Sequence, residues 1–470
     1  MVRSLILGEH EYRLTCWPRG QDGLFLNLEL EFLRRDMPYN ACPSFYRLAL
    51  SLECSHFAMS FFTLPFLLSA LTLPSTDVSF EPWSFTERDL FPSAIISMAT
   101  VDWNGETQTA EDKKTDDDPE LEGDETPIFG DENGWLGVVL FDVAEGSNVS
   151  VEITIDGFMK PSLWTGVIED SYGEVRIVPN TKWDFEALRK VREQTPVVVS
   201  FKVTVDDEEL DEQTENYIIR SINDCPFYVL ADQEGEEFTD LSWVFAAYVN
   251  ENHPWIDGIL KEALQSELVD SFTGYQSGDP EEVIAQVFAI WNVLQRRGIK
   301  YSDISSTVPS KLVFSQTVRF LDDSIDATQA NCVDGSVLMA SILRKIGIDV
   351  HLVMVPGHCF LAFRLTDQPI ENMDDFFAED SDLVGLETTM LGNDKLKPIK
   401  DLPKMPDKLK QREFQASFET FQTAMGAGNE SLEENAEVMI SGSDPDTQLI
   451  SIEDARKFGI MPIASGREKK

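Results

Sequence analysis

Between residues 95 and 222 apolar and polar side chains alternate in short runs separated by turn residues. The runs cover residues 135–143, 149–155, 163–168, 174–178, 197–205 and 217–222. In Val149-Ser150-Val151-Glu152-Ile153-Thr154-Ile155 the alternation is strict. Successive strand side chains point to opposite faces, so one face of such a run packs on a core and the other meets water. These runs predict an immunoglobulin-like (Ig-like) β-sandwich over 95–222, with one short helix near 184–194.

After residue 222 the period changes from two to that of a helix. Gly278-Asp279-Pro280-Glu281-Glu282 reads as a helix start, with Asp279 as cap, Pro280 in the first turn and Glu282 closing a capping box. Val283, Val287, Phe288, Trp291 and Leu294 then form an apolar stripe that ends at Gly298. Such a stripe is core. A second stripe, Val333, Val337, Leu338, Ile342 and Ile346, closes with Arg344, Lys345 and Gly347, which sets Cys332 at the N-terminus of a helix. Two apolar strands follow, 350–355 and 358–363, joined by a Pro356-Gly357 turn.

The two ends of the chain are less regular. Residues 1–94 form an uncertain leader whose segment 59–74 reads either as the apolar part of a secretory signal starting at Met59 or as an ordinary buried stretch. That segment is too short to span a bilayer. An acidic insert, 111–131, interrupts the sandwich. The Asp102-Trp103-Asn104-Gly105 sequence before it lacks the Gly and Glu that a calcium loop requires. Beyond a third region at 223–400, residues 401–470 predict a C-terminal extension with two short helices, near 411–423 and from a Ser451 cap to Phe458. These pack on the third region, being too small to fold alone.

With 470 residues, 42% of them apolar and 26% charged, the chain is a folded multidomain protein. Its net charge of -45 repels phosphate backbones and anionic membrane surfaces, which argues against a nucleic-acid partner. No membrane span, cofactor or metal is expected, and oligomeric state is open. Six cysteines without regular spacing do not form a disulfide framework. The chain is soluble, and either cytoplasmic or, if the segment from Met59 is a signal, exported.

Candidate chemistry centres on Cys332. The unpaired N–H groups and dipole of a helix N-terminus favour negative charge, which turns a thiol into a nucleophile. From there a helix of about 15 residues runs ~22 Å away and a strand of about 7 residues returns ~23 Å, which brings His358 level with the thiol. An antiparallel return through 383–389 sets Glu387 within a residue or two of His358, where a carboxylate can orient the imidazole. The backbone N–H of Cys332 is the first oxyanion donor, with Gln329, Gln316 and Tyr301 as candidates for a second. His351, His253 and Cys359 read as structural.

The stretch from Cys332 to Phe363, followed by Glu387-Thr388-Thr389, resembles the transglutaminase-like cysteine proteinase superfamily. In that family a Cys opens a helix, a His opens the following strand and an acid lies on the next. The resemblance implies an α+β, papain-like fold for 223–400 and a thiol-dependent hydrolase or acyltransferase acting on peptide or isopeptide amides. Cys332, His358 and Glu387 would form its triad, and a protein or peptide would be its substrate. A catalytically inactive scaffold serving as an interaction module is the alternative. Two features depart from the family's pattern: Glu387 stands where Asp is usual, and the strand connection is compressed to Pro356-Gly357. A sandwich in front of such a core also resembles multidomain bacterial proteins, a likeness that supplies no substrate.

Overall fold

The computed structural model describes residues 78–101, 126–169, 173–231, 237–303, 310–370, 372–378 and 380–464, together with the backbone of three strands before them. The signal-like segment 59–74, residues 102–105 and the acidic insert up to 125 lie outside the described residues. The chain divides into two units, Met1–Thr76 and Asp77–Lys470, and is mixed α/β with several sheets. In the first unit Val2–Leu7 (β1), His10–Pro18 (β2) and Leu24–Glu29 (β3) form an antiparallel meander. The sequence pattern gave no sign of these strands.

The second unit opens with two sheets. One orders Ser79–Ser84 (β4), Leu136–Phe141 (β7), Glu174–Val178 (β10) and Ile128–Gly130 (β6) side by side. The other runs Lys182–Trp183 (β11), Met159–Val167 (β9), Asn148–Ile155 (β8), Thr195–Val205 (β12), Gln213–Ile219 (β14) and Asp89–Leu90 (β5), with Glu208–Glu209 (β13) against β12. Each of the six alternating runs overlaps a strand. In β8 the buried positions are Val149, Val151, Ile153 and Ile155, and their neighbours are half-buried, as a period of two requires. Leu136 and Leu140 of one sheet share a core with Val151 and Phe201 of the other. Two short helices flank the sheets, Pro92–Ser97 (α1) and Phe185–Leu188 (α2), the latter capped by Asp184, whose side chain accepts from Ala187 N.

Strands Asp224–Leu230 (β15), Phe238–Asp240 (β16) and Val313–Thr317 (β18) form a small sheet. Helices Pro254–Gln265 (α3) and Pro280–Arg297 (α4) lie between β16 and β18 in the chain. Asp279 caps α4 by accepting from Glu281 N, and Gly298 ends it at a φ of 77°, a left-handed conformation that glycine adopts without strain. Lys300–Tyr301 (β17) pairs in parallel with Gln329–Ala330 (β19), and Leu321–Ala327 (α5) leads into β19.

The last sheet orders Leu383–Leu386 (β22), His358–Arg364 (β21), Val350–Val355 (β20) and Gln448–Ser451 (β23). Cys332–Lys345 (α6) packs on one face of β20 and β21. The other face, with Val353, Phe360 and Ala362, is covered by Leu432 and Met439 of Asp407–Ser441 (α7). Ile452–Phe458 (α8) starts at Ser451, whose side chain accepts from Asp454 N, and stops at Gly459. The helix expected near 411–423 is thus one stretch of a 35-residue helix. Beyond that stretch, Gly428 sits where α7 crosses the backbone of β22, and a Cβ there would overlap Gly385. Close packing, not chain termination, selects that glycine. Among the described residues no helix is long and apolar enough to cross a membrane.

Candidate active site

Cys332 is the first residue of α6, and the turn that holds it is pinned from both sides. Asn331 Oδ1 accepts from Asp334 N at 2.7 Å, while Asp334 Oδ2 accepts from Asn331 N at 3.0 Å, a reciprocal capping box. Asp334, 1% exposed, also accepts from Arg319 N at 2.7 Å and from its guanidinium Nη1 at 3.2 Å. Burial raises the Asp334 carboxyl, against the pull of these bonds. The first turn is thus tied to the loop before α5, and the half-buried Cys332 side chain starts from a rigid base.

His358 begins β21 directly after the Pro356-Gly357 turn, its Cα paired with Val355. Its Nε2 donates to Glu387 Oε2 at 2.6 Å, and the Cys332 thiol lies close enough to the ring to raise its pKa. With Nε2 engaged by the carboxylate, Nδ1 is the nitrogen left for sulfur. Cys332 and then Glu387 raise the His358 imidazole to about 10, against the opposing effect of burial.

Glu387 follows β22. Leu386 pairs with Leu361, so the register brings Glu387 two residues short of His358, and its side chain spans the gap. Its second oxygen, Oε1, accepts from Thr389 N at 2.9 Å and from Thr389 Oγ1 at 2.5 Å. Burial alone would raise this carboxyl, but the bonds from His358 and Thr389 outweigh it and hold Glu387 below its usual value. Its backbone N–H donates to Ala424 O of α7 at 3.0 Å. Next in the chain, Thr388 lies over the first turn of α6, with its hydroxyl 3.1 Å from Ser336 Oγ. Ser336 Oγ in turn donates to Cys332 O at 2.8 Å. Gly335 leaves the room this requires, since a Cβ there would stand 3.0 Å from the Thr388 hydroxyl.

The structure therefore brings Cys332, His358 and Glu387 together, with the ring hydrogen-bonded to the carboxylate and near enough to the thiol for its pKa to be raised by it. Of the three oxyanion candidates, Tyr301 pairs with Ala330, two residues before Cys332. Its hydroxyl is raised first by desolvation and then by the charges of Asp303, Cys332 and Glu387, so it senses the site. Gln329 is exposed beside Lys300. Gln316 lies in β18 opposite Cys225 and donates its amide to Thr317 O at 3.2 Å. Neither glutamine is hydrogen-bonded to Cys332, His358 or Glu387.

Asn331, Asp334, Arg319, Thr388 and Thr389 escaped the sequence reading. The spacing of Asn331 and Asp334 carried a capping-box signal that could have found two of them. Cys359 is 2% exposed, and burial holds its thiol far above the ordinary value. His253 caps α3 by accepting from Trp255 N at 3.3 Å. Cys225, Cys332 and Cys359 are free thiols, and among the described residues no cluster of three or more His, Cys, Asp or Glu is arranged to hold a metal. Compared with known proteins, the chain matches no family model and no curated protein significantly.

Proposed function

We propose that this chain is a thiol-dependent hydrolase or acyltransferase acting on peptide or isopeptide amides, built as an Ig-like β-sandwich followed by a transglutaminase-like α+β core. The observation that carries the reading is the His358 ring, bonded to the Glu387 carboxylate and raised in pKa by the neighbouring Cys332 thiol at the start of its helix. Thiol, imidazole and acid in that order are what nucleophilic acyl transfer needs.

In this mechanism the imidazole of His358 takes the thiol proton, and Cys332 Sγ forms a bond to the amide carbonyl carbon. The backbone N–H of Cys332 and the Tyr301 hydroxyl receive the developing oxyanion. As the C–N bond breaks, His358 returns the proton to the departing amine and a thioester remains. Water or a second amine then attacks the thioester, gives its proton to His358 and releases the thiolate. Glu387 keeps the ring in the tautomer that presents Nδ1 to sulfur throughout. The substrate is a protein or peptide, which the sandwich presents or docks.

The pH dependence of alkylation tests the reading. A free thiol is under about 1% ionised at pH 6. With His358 beside it, Cys332 is expected to react with iodoacetamide at pH 6 about tenfold faster than free cysteine. His358→Ala is expected to remove that advantage. A thiol that reacts no faster than free cysteine, with a rate unchanged by His358→Ala, would leave only the non-catalytic scaffold.

A further inference from the structure

The second histidine of the β20–β21 hairpin is buried without a partner. His351 is 1% exposed and neither ring nitrogen has a hydrogen-bond partner, although buried polar groups are normally paired. One ring edge meets Phe376 at 4.9 Å between centroids. Burial holds the imidazole down to about 4, so the ring is neutral and offers one N–H donor and one bare nitrogen. It lines a cavity of about 650 Å³ at the end of the hairpin away from His358, a size that suits a small molecule.

Two further polar atoms on the same cavity are buried and unpaired, Arg344 Nε and Asp349 Oδ1. Arg344 and Asp349 make no direct salt bridge, and burial raises the Asp349 carboxyl against a smaller downward pull from the Arg344 charge. The other two cations on the cavity, Arg364 and Lys457, are engaged within the protein. Arg364 grips Asp382 with Nε and Nη2, both at 3.0 Å. Lys457 lies between Glu453 and Asp454, at 3.1 Å from each. The Tyr275 hydroxyl donates to Arg364 O at 3.1 Å and accepts from Asp349 N at 2.9 Å. What stays unpaired is the Arg344 Nε–H, Asp349 Oδ1 and the neutral His351 ring, with the exposed Asp367 carboxylate beside them.

A purely anionic ligand would face Asp349 and the carboxylates at the rim, among them Asp367 and Glu453. A purely cationic one would leave Arg344 unpaired. A ligand carrying both charges answers both walls. We propose that this cavity binds a free α-amino acid, its carboxylate on Arg344, its ammonium on Asp349 and its remaining hydrogen-bonding capacity on His351. The site is separate from the thiol and stands whether or not Cys332 is catalytic.

The test uses the full chain and each of the protein amino acids in turn at about 10 mM, read as a ligand-induced rise in the unfolding midpoint and followed by calorimetric titration. At least one amino acid is expected to bind saturably. On the unaltered protein its N-acetyl and carboxamide derivatives, each lacking one charge, are expected to bind about tenfold more weakly or worse. Arg344→Gln and Asp349→Asn are each expected to weaken the parent amino acid by a similar factor, while Cys332→Ala leaves binding intact. The proposal is overturned if no amino acid binds, if the derivatives bind as well as the parent, if neither wall substitution changes affinity, or if Cys332→Ala abolishes binding.

Discussion

Valine at position 428 is expected to destabilise the second unit by about 3 kcal/mol, at the upper end for overpacking a close contact. Gly428 of α7 and Gly385 of β22 meet backbone to backbone, and a Cβ on either would overlap the other. Asn429 Oδ1 accepts from Gly385 N at 2.7 Å beside the contact, so helix and strand cannot separate without losing that bond. The effect should also reach the site, because Glu387 N–H is held by Ala424 O of the same helix. The shift in denaturation midpoint measures the first consequence, and a lowered His358 ionisation the second. Two residues away, a Cβ on Gly426 meets nothing within 4 Å. Gly426→Ala is therefore expected to stabilise α7 by roughly 0.5–1 kcal/mol. Equal effects at the two glycines would contradict this account of the crossing.

Removing the thiol is expected to change the imidazole most. Cys332 makes the largest contribution raising His358 to about 10, so Cys332→Ala should lower its titration by about two units, the size expected for loss of a close partner. Ring proton shifts followed by NMR measure this. Glu387 keeps its bond to Nε2 in that variant, so the value should stay above that of an exposed histidine. The sign for stability follows from the raised value. The folded state favours the imidazolium, so its contribution is complete below the unfolded value near 6.5 and is lost as pH rises toward about 10. Cys332→Ala should flatten that alkaline loss. An unchanged titration would mean that thiol and ring are not coupled.

Local pattern carried much of this architecture. The alternation of Val149, Val151, Ile153 and Ile155 marks a strand because a half-buried strand has no other way to satisfy water and core together. The stripe from Val333 to Ile342 marks α6, and the lengths of that helix and the returning strand already placed Cys332 and His358 at one level. What stayed hidden depends on partners distant in sequence. Nothing near Gly428 announces that a strand about forty residues upstream needs its missing side chain, and the full length of α7 stayed unread. The orientation of Glu387 rests on Thr389 and on a carbonyl of α7, neither of which a strand pattern implies. His351 looked like an ordinary core residue because composition cannot say whether a buried imidazole has partners.

The most direct test of the thiol chemistry is to catch the acyl group on sulfur. The full chain, incubated with glutamine- and lysine-containing peptides and quenched in acid, is expected to carry a peptide acyl adduct on Cys332 by intact mass, with ammonia or amine released. In Cys332→Ala both adduct and release should vanish. Turnover that survives in Cys332→Ala, or release from the unaltered protein without any adduct on Cys332, would contradict the account.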